Sequence, residues 1–165
     1  MHEARVTRLV ETQDEHFAWM LGELPRPDTL SLPWDGLDAP HVIRHLRRAA
    51  AQLRAADCAG SWMIVDGTEA VGLCSYKAPP GPARMVEIGY GVAAERRGRG
   101  YATRAVALVV DKARADPAIE TLTAETAPDN LASQRVLARN GFRQVGWRTD
   151  ADEGDLILWR IDVAG

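Results

Sequence analysis

Apolar residues recur every three or four positions in two long stretches of the chain. Val42, Ile43, Leu46, Ala50 and Leu53 fall on one side of a helix predicted over residues 40–56, with arginines opposite. Ala102, Val106, Val109, Val110 and Ala113 line one side of a second, over residues 100–115, which Asp116-Pro117 stops. Shorter helices are predicted over residues 13–21 and 129–140, the latter closed by Gly141 as a C-terminal cap. Short apolar or alternating runs at 6–10, 61–65, 70–76, 85–92, 119–124, 142–147 and 155–161 read as strands. Asp66-Gly67 suits the turn of a hairpin between the second and third runs. Prolines 25, 27, 33 and 40 break residues 23–39 into loop and turns, and Pro79-Pro80-Gly81-Pro82 makes another loop. Hairpins come first and a strand–helix–strand crossover follows. The order predicts an α/β fold: a mixed, mostly antiparallel sheet with one parallel pair in its middle, flanked by helices.

A chain of 165 residues, 46% of them hydrophobic, suits one domain with one core. No run of 18 uncharged apolar residues is present, so no membrane span is expected. The first five residues lack a basic-then-apolar leader, and a cytoplasmic location is expected. Cys58 and Cys74 show no metal spacing, and a reducing compartment argues against pairing them. His41 and His45 stand four apart on a helix but without a third ligand, so no metal is expected. A net charge of −3 gives no general attraction to nucleic acid, and no nucleic-acid partner is expected.

Positive charge is concentrated rather than abundant. Arg96, Arg97, Arg99 and Arg104 crowd into nine residues around Gly98 and Gly100, where a strand runs through a tight turn into a helix. Glycine admits backbone conformations closed to other residues and lets a ligand approach the main chain. A helix start presents unpaired N–H groups and the positive end of a dipole. Together these make a phosphate site, and a diphosphate fits such a nest. Taken alone, a Gly-x-Gly is equally a plain turn with solvated arginines. The Gly-Lys-Ser/Thr of a Walker loop is missing. Gly89-x-Gly91-x-x-Ala94 fits a dinucleotide fingerprint only loosely, because those glycines belong to the strand and the chain lacks room for two mononucleotide halves. Only Tyr101 is near enough to stack a base.

Arg97-x-x-Gly100-x-Ala102 matches the signature of the GNAT family of N-acetyltransferases. The stretch from Glu87-Ile-Gly-Tyr to Gly100-Tyr-Ala-Thr is most similar to the branch containing ribosomal-protein N-terminal acetylases. A second block, Asp129-Asn130-x-x-Ser133-x-x-Val136-Leu137-x-x-x-Gly141-Phe142, resembles the family's helix after its fifth strand. The resemblance covers residues 85–147. It implies one N-acetyltransferase domain with acceptor-side elements in 1–83, an acetyl-CoA-binding core in 84–147 and a C-terminal strand in 148–165. The central parallel strands are then expected to splay.

The resemblance implies acetyl-CoA as cosubstrate. Its diphosphate would lie on Arg97, Gly98, Arg99, Gly100, Tyr101 and Ala102, mostly through backbone N–H groups. Its pantetheine arm would pair along Tyr90, Gly91 and Val92, with a hydrogen bond from Asn130, whose plainer role is to cap a helix. Gly89 and Gly91 inside a strand independently predict a bulge or a close backbone approach that would open the slot. Arg135 and Arg139, on the same helix, read as solvated surface, with contact to the adenosine phosphates as the alternative.

The implied reaction is acetyl transfer to a primary amine, of a protein N-terminus or a small molecule, by direct attack on the thioester. A lysine amine is less than about 0.1% neutral at pH 7, an α-amine roughly 10–15%, so an α-amine asks little of a base. Glu87, a charge in an apolar strand, is the candidate base, with an ion pair to Arg84 or Arg96 as its competing role. Much of the family uses a tyrosine acid where this chain has Leu137, which leaves Ser133 to serve the departing thiolate or to bond a helix carbonyl. The acidic run Asp150, Asp152, Glu153 and Asp155 reads as a solvated loop, the alternative being that one of the four holds the acceptor's positive charge or serves as base. The missing tyrosine also admits a non-catalytic CoA-binding regulator, and the Gly89–Ala94 stretch a dinucleotide module. The acceptor pocket is expected from residues 23–56, 79–82 and the last hairpin, with Trp34, Trp62 and Trp147 as candidate linings. A homodimer through exposed sheet or helix is compatible with the sequence.

Overall fold

A computed structural model describes residues 6–164 and contains the predicted elements in the predicted order. The first five residues, where no leader is expected, lie outside the described residues. The strands are β1 (Thr7–Glu11), β2 (Ser61–Asp66), β3 (Glu69–Tyr76), β4 (Met85–Val92), β5 (Thr121–Thr126), β6 (Arg143–Asp150) and β7 (Gly154–Asp162). The helices are α1 (Asp14–Met20), α2 (Pro40–Ala55), α3 (Tyr101–Arg114) and α4 (Leu131–Arg139). The sheet runs β1-β2-β3-β4-β5-β7-β6, and only β4 and β5 pair in parallel.

Helices cover both faces, which is why β2 is buried at every position. Trp62 and Ile64 face α3, where Val106, Val109 and Ala113 complete the larger core with Val86, Ile88 and Leu122. Met63 and Val65 face the other way, onto Phe17 of α1 and Ile43 and Ala50 of α2. Arg47 ties those two helices together: its Nε and Nη2 donate to the Asp14 carboxylate at 2.8 Å each and its Nη1 to Glu23 at 2.7 Å. That fork holds the Asp14 carboxyl below its ordinary value. Cys58 and Cys74 are free thiols, and burial pushes Cys74 up to about 12. No helix among the described residues is long and apolar enough to cross a membrane.

The parallel pair is short. Met85, Val86 and Glu87 pair with Thr121, Leu122 and Thr123, and there the pairing ends. Beyond it β4 stays on β3 as far as Val92, while β5 stays on β7 as far as Thr126. The sheet therefore opens between its two halves. β5 begins two residues later than predicted, because Ile119 N–H closes a turn onto Asp116 O at 3.1 Å.

The bulge expected on β4 is not there. Its register with β3 runs unbroken from Tyr76↔Ile88 to Gly72↔Val92. The bulge is on β3, where Val71 is the extra residue between Ile64↔Gly72 and Val65↔Ala70, and Val71 O accepts from Ala93 N at 2.8 Å. The close backbone approach belongs to Gly72: a Cβ there would stand 2.3 Å from Gly91 O and 3.1 Å from Val92 Cα. Backbone cannot yield as a flexible side chain does, so Gly72→Ala should lower unfolding free energy by about 1–3 kcal/mol. Urea unfolding should show a lower midpoint at unchanged slope.

Candidate active site

Where the halves of the sheet part, a groove of about 520 Å³ opens on the face that carries α3 and α4. At one end the chain leaves β4, makes a single 3-10 turn at Ala94–Arg96 and enters α3. Gly98 and Gly100 both take left-handed conformations, φ 78° and 80°. They turn the chain so that α3 starts at the groove, with the N–H groups of its first turn unclaimed by the helix. The turn is braced from beneath: Tyr101 Oη donates to the buried carboxylate of Asp66, at the end of β2.

The arginines have separate duties. Arg96 is held by both oxygens of Glu69, at 2.6 and 3.0 Å. Arg104 donates to Thr7 Oγ1 at 2.9 Å and lies over the Tyr101 ring at 5.0 Å. Arg97 lines the groove and is only lightly held, its Nε 3.3 Å from Val92 O. Arg99 is not among the groove's linings. Arg135 and Arg139, for which solvated surface and phosphate contact are the two readings, line it from α4. Arg96 also lines the groove but is taken by Glu69, which leaves Arg97, Arg135, Arg139 and a helix start as donors suited to a polyanion.

Of the remaining expected coenzyme residues, Tyr90, Gly91, Val92, Gly98, Gly100, Tyr101, Ala102 and Asn130 all line this groove. Asn130 is the cap of α4: its Oδ1 accepts from Ser133 N at 3.1 Å. Its amide nitrogen has no partner among the described residues. Ser133 does not bond a helix carbonyl. Its Oγ is 2.7 Å from Tyr90 Oη, which also lies 3.2 Å from Ser133 O. Burial raises the Tyr90 phenol above its ordinary value, and the bond to Ser133 works against that rise. This hydroxyl pair joins residues 43 apart, and only the alternation of β4, which turns Tyr90 away from Gly89 and Gly91, hinted at it. Leu137 is fully buried in the core.

Glu87 lies outside the linings of the groove. Its ion-pair partner is neither Arg84 nor Arg96 but Lys77, whose Nζ is 2.6 Å from Glu87 Oε2. Arg84 is taken by Glu120 and Arg96 by Glu69. The acidic run forms the β6–β7 turn, where Asp150 Oδ1 accepts from Asp152 N and Glu153 N at 2.8 and 3.0 Å. Those two N–H groups, with Arg148 beside them, hold the Asp150 carboxyl low.

A second cavity of about 160 Å³ lies on the opposite face of the sheet, beneath α1 and α2. Phe17, Leu37, Asp38, Val42, Leu46 and Leu73 line it, with Ser61, Ser75 and Gly89. Tyr90 and Gly91 line both cavities, so β4 is their common wall. The expected acceptor segments are only partly present: residues 79–82 and the last hairpin contribute nothing to it. Trp34 is 95% exposed, Trp147 is exposed on the edge strand, and Trp62 is core.

Comparison with known proteins agrees with this architecture. The family model described as an acetyltransferase (GNAT) domain matches residues 6–143. An uncharacterized N-acetyltransferase, YjdG, of Bacillus subtilis (strain 168) is 29% identical over 111 residues, 66% of each chain. The structure of Mycobacterium smegmatis RimJ in complex with a CoA disulfide superposes with a TM-score of 0.71 at 26% identity, covering 96% of this chain and 82% of that one. RimL, a ribosomal-protein alpha-N-acetyltransferase in complex with coenzyme A, superposes with a TM-score of 0.73 at 17% identity, covering 95% and 94%. The groove and turn are thus set in the frame that this family shares, and the chain belongs to the GNAT acetyltransferases.

Proposed function

We propose that this chain transfers the acetyl group of acetyl-CoA to a primary α-amine by direct attack on the thioester. One observation carries the reading: the split between β4 and β5 leads straight from the glycine-arginine turn to the Tyr90–Ser133 hydroxyl pair. The turn supplies helix-start N–H groups and Arg97 for the diphosphate, with Arg135 and Arg139 across the groove. The edge of β4 beyond Glu87 offers main-chain groups to an extended arm, the way a strand adds to an open sheet. Two relatives of like fold are complexes with coenzyme A or its disulfide, which supports the same use of the groove.

The thioester is already activated, so the protein has two proton tasks. The attacking nitrogen forms the C–N bond as the C–S bond breaks, and it must shed one proton. An α-amine is roughly 10–15% neutral at pH 7, and the surplus proton can pass to water. Glu87, held by Lys77, is called on little. The departing thiolate takes a proton from Ser133 Oγ–H, Tyr90 Oη–H replaces it from behind, and water returns to Tyr90 the proton that the amine has shed. The products are the amide and the free thiol. This pair fills the place of the tyrosine acid that Leu137 lacks.

Ser133→Ala should lower kcat at least tenfold and Tyr90→Phe severalfold, while Glu87→Gln should change kcat/KM less than about threefold; thiol release from acetyl-CoA is the assay. Full activity in the Ser133 variant would remove the relay. No thiol release with any amine, despite binding, would leave a non-catalytic CoA-binding protein instead. For the coenzyme site, Gly100→Trp forces a side chain onto a left-handed residue whose Cβ would be 2.7 Å from Arg104 Nη1. Calorimetry with acetyl-CoA should show affinity at least tenfold weaker, and unaltered affinity would move the diphosphate elsewhere. Asn130→Asp keeps an oxygen for the Ser133 N–H but loses the amide donor. It should weaken acetyl-CoA binding at unchanged thermal stability, whereas Asn130→Ala should lose binding and about 1 kcal/mol of stability.

A further inference from the structure

The cavity beneath α1 and α2 has no part in holding the coenzyme, yet it shares Tyr90 and Gly91 with the groove. We infer that it selects the acceptor: an α-amine whose adjacent carbon bears one apolar side chain no larger than a benzyl group, with Asp38 at the rim facing the amine's positive charge. The inference rests on the acetyl transfer proposed above.

Size, lining and charge each narrow the class. The volume of about 160 Å³ is close to that of apolar cavities of about 150 Å³ that take a benzene ring. It is below the roughly 300–1,000 Å³ of pockets for drug-sized ligands. Phe17, Leu37, Val42, Leu46 and Leu73 make its walls apolar. Asp38 is its one carboxylate; Oδ1 accepts from Ala39 N at 2.7 Å and the other oxygen has no partner among the described residues. A polyamine or an aminoglycoside carries several cations and would need several such carboxylates and more room.

The cavity exists because two strand positions have no side chain. Gly89 pairs with Ser75 and Gly91 with Leu73, and residues paired across strands share a face. Both glycines therefore face the cavity, while Tyr90 faces α4. Neither has a positive φ. A Cβ on Gly91 would meet nothing within 4 Å, and one on Gly89 only Lys77 Cε at 3.4 Å. No turn and no backbone contact demands glycine at either place, and glycine weakens a strand. What it provides is the opening from the cavity to the main chain of β4, where the thioester is proposed to lie.

Wild-type kcat/KM should be measured on matched short peptides beginning with Leu, Met, Phe, Ala, Gly or Asp, with free leucine, leucinamide and spermidine alongside. Each buried methylene is expected to multiply kcat/KM about fourfold, so leucine should exceed glycine by at least tenfold. Leucinamide and free leucine separate a small-molecule acceptor from a peptide. Gly89→Val fills the cavity from a position that does not line the groove. It should cut kcat/KM for the leucine acceptor at least tenfold and leave the Kd for acetyl-CoA within about twofold. Val42→Phe, from α2, should do the same if the strand variant fails to fold. Preference for Gly, Asp or spermidine would overturn the inference and leave acetyl transfer standing, as would a folded Gly89 variant with the wild-type profile. Absence of turnover with every amine would bring down acetyl transfer and this inference together.

Discussion

Hydrogen bonding between β4 and β5 stops after three residue pairs, and the rest of the molecule is arranged around that stop. Unmade main-chain bonds inside a sheet are costly, so something must hold the strands apart. Each is held from its outer side. β4 remains on β3 through Val92, and β5 remains on β7 through Thr126. α3 begins at the open end, since the chain leaving β4 has only the turn at Ala94–Gly100 in which to reverse. The split thus leaves one open strand edge, and the turn places a helix start beside it.

The period of two along β4 then divides the labour. Val86, Ile88 and Tyr90 face α3 and α4, and Tyr90 reaches Ser133. Gly89 and Gly91 face α1 and α2 and leave a gap there. One strand is therefore the wall of two cavities with opposite characters: one rich in arginine and helix-start donors, the other apolar with a single carboxylate. On the proposed reading, an electrophile along the strand's edge and a nucleophile from its far face would meet at Tyr90 and Gly91, the two residues that the cavities share.

The regular elements were legible because their periods are local. The arginine-glycine turn was legible because its chemistry is contiguous, and because the block from Asp129 to Phe142 accompanies it. Long-range pairings were not. Glu87 gives no sign in the sequence that Lys77, across the 77–84 loop, will take its carboxylate rather than a nearer arginine. Gly89 and Gly91 predict a bulge or a close backbone approach, because a strand glycine has two causes, irregular backbone or needed space. Only the register shows that the irregularity lies at Val71 and the space at β4. Asp38 sits in a proline-broken stretch without periodicity, where no pattern points to a cavity.

The same arginine count that drew attention to the turn overstates how much charge it offers a ligand. Arg96 is occupied with Glu69 and Arg104 with Thr7 and the Tyr101 ring. These two fasten the turn to β3 and β1, as the Asp66–Tyr101 bond fastens it to β2. Glu95 extends the bracing: its Oε1 accepts from Asp35 N at 2.8 Å, in the loop that goes on to Leu37 and Asp38. The glycine-arginine turn and the rim of the second cavity are thereby tethered to each other. A turn fixed at several points loses little freedom when an anion docks, so less binding free energy is consumed in ordering it. The cluster is better understood as a scaffold of paired arginines around a few free donors than as a pool of positive charge.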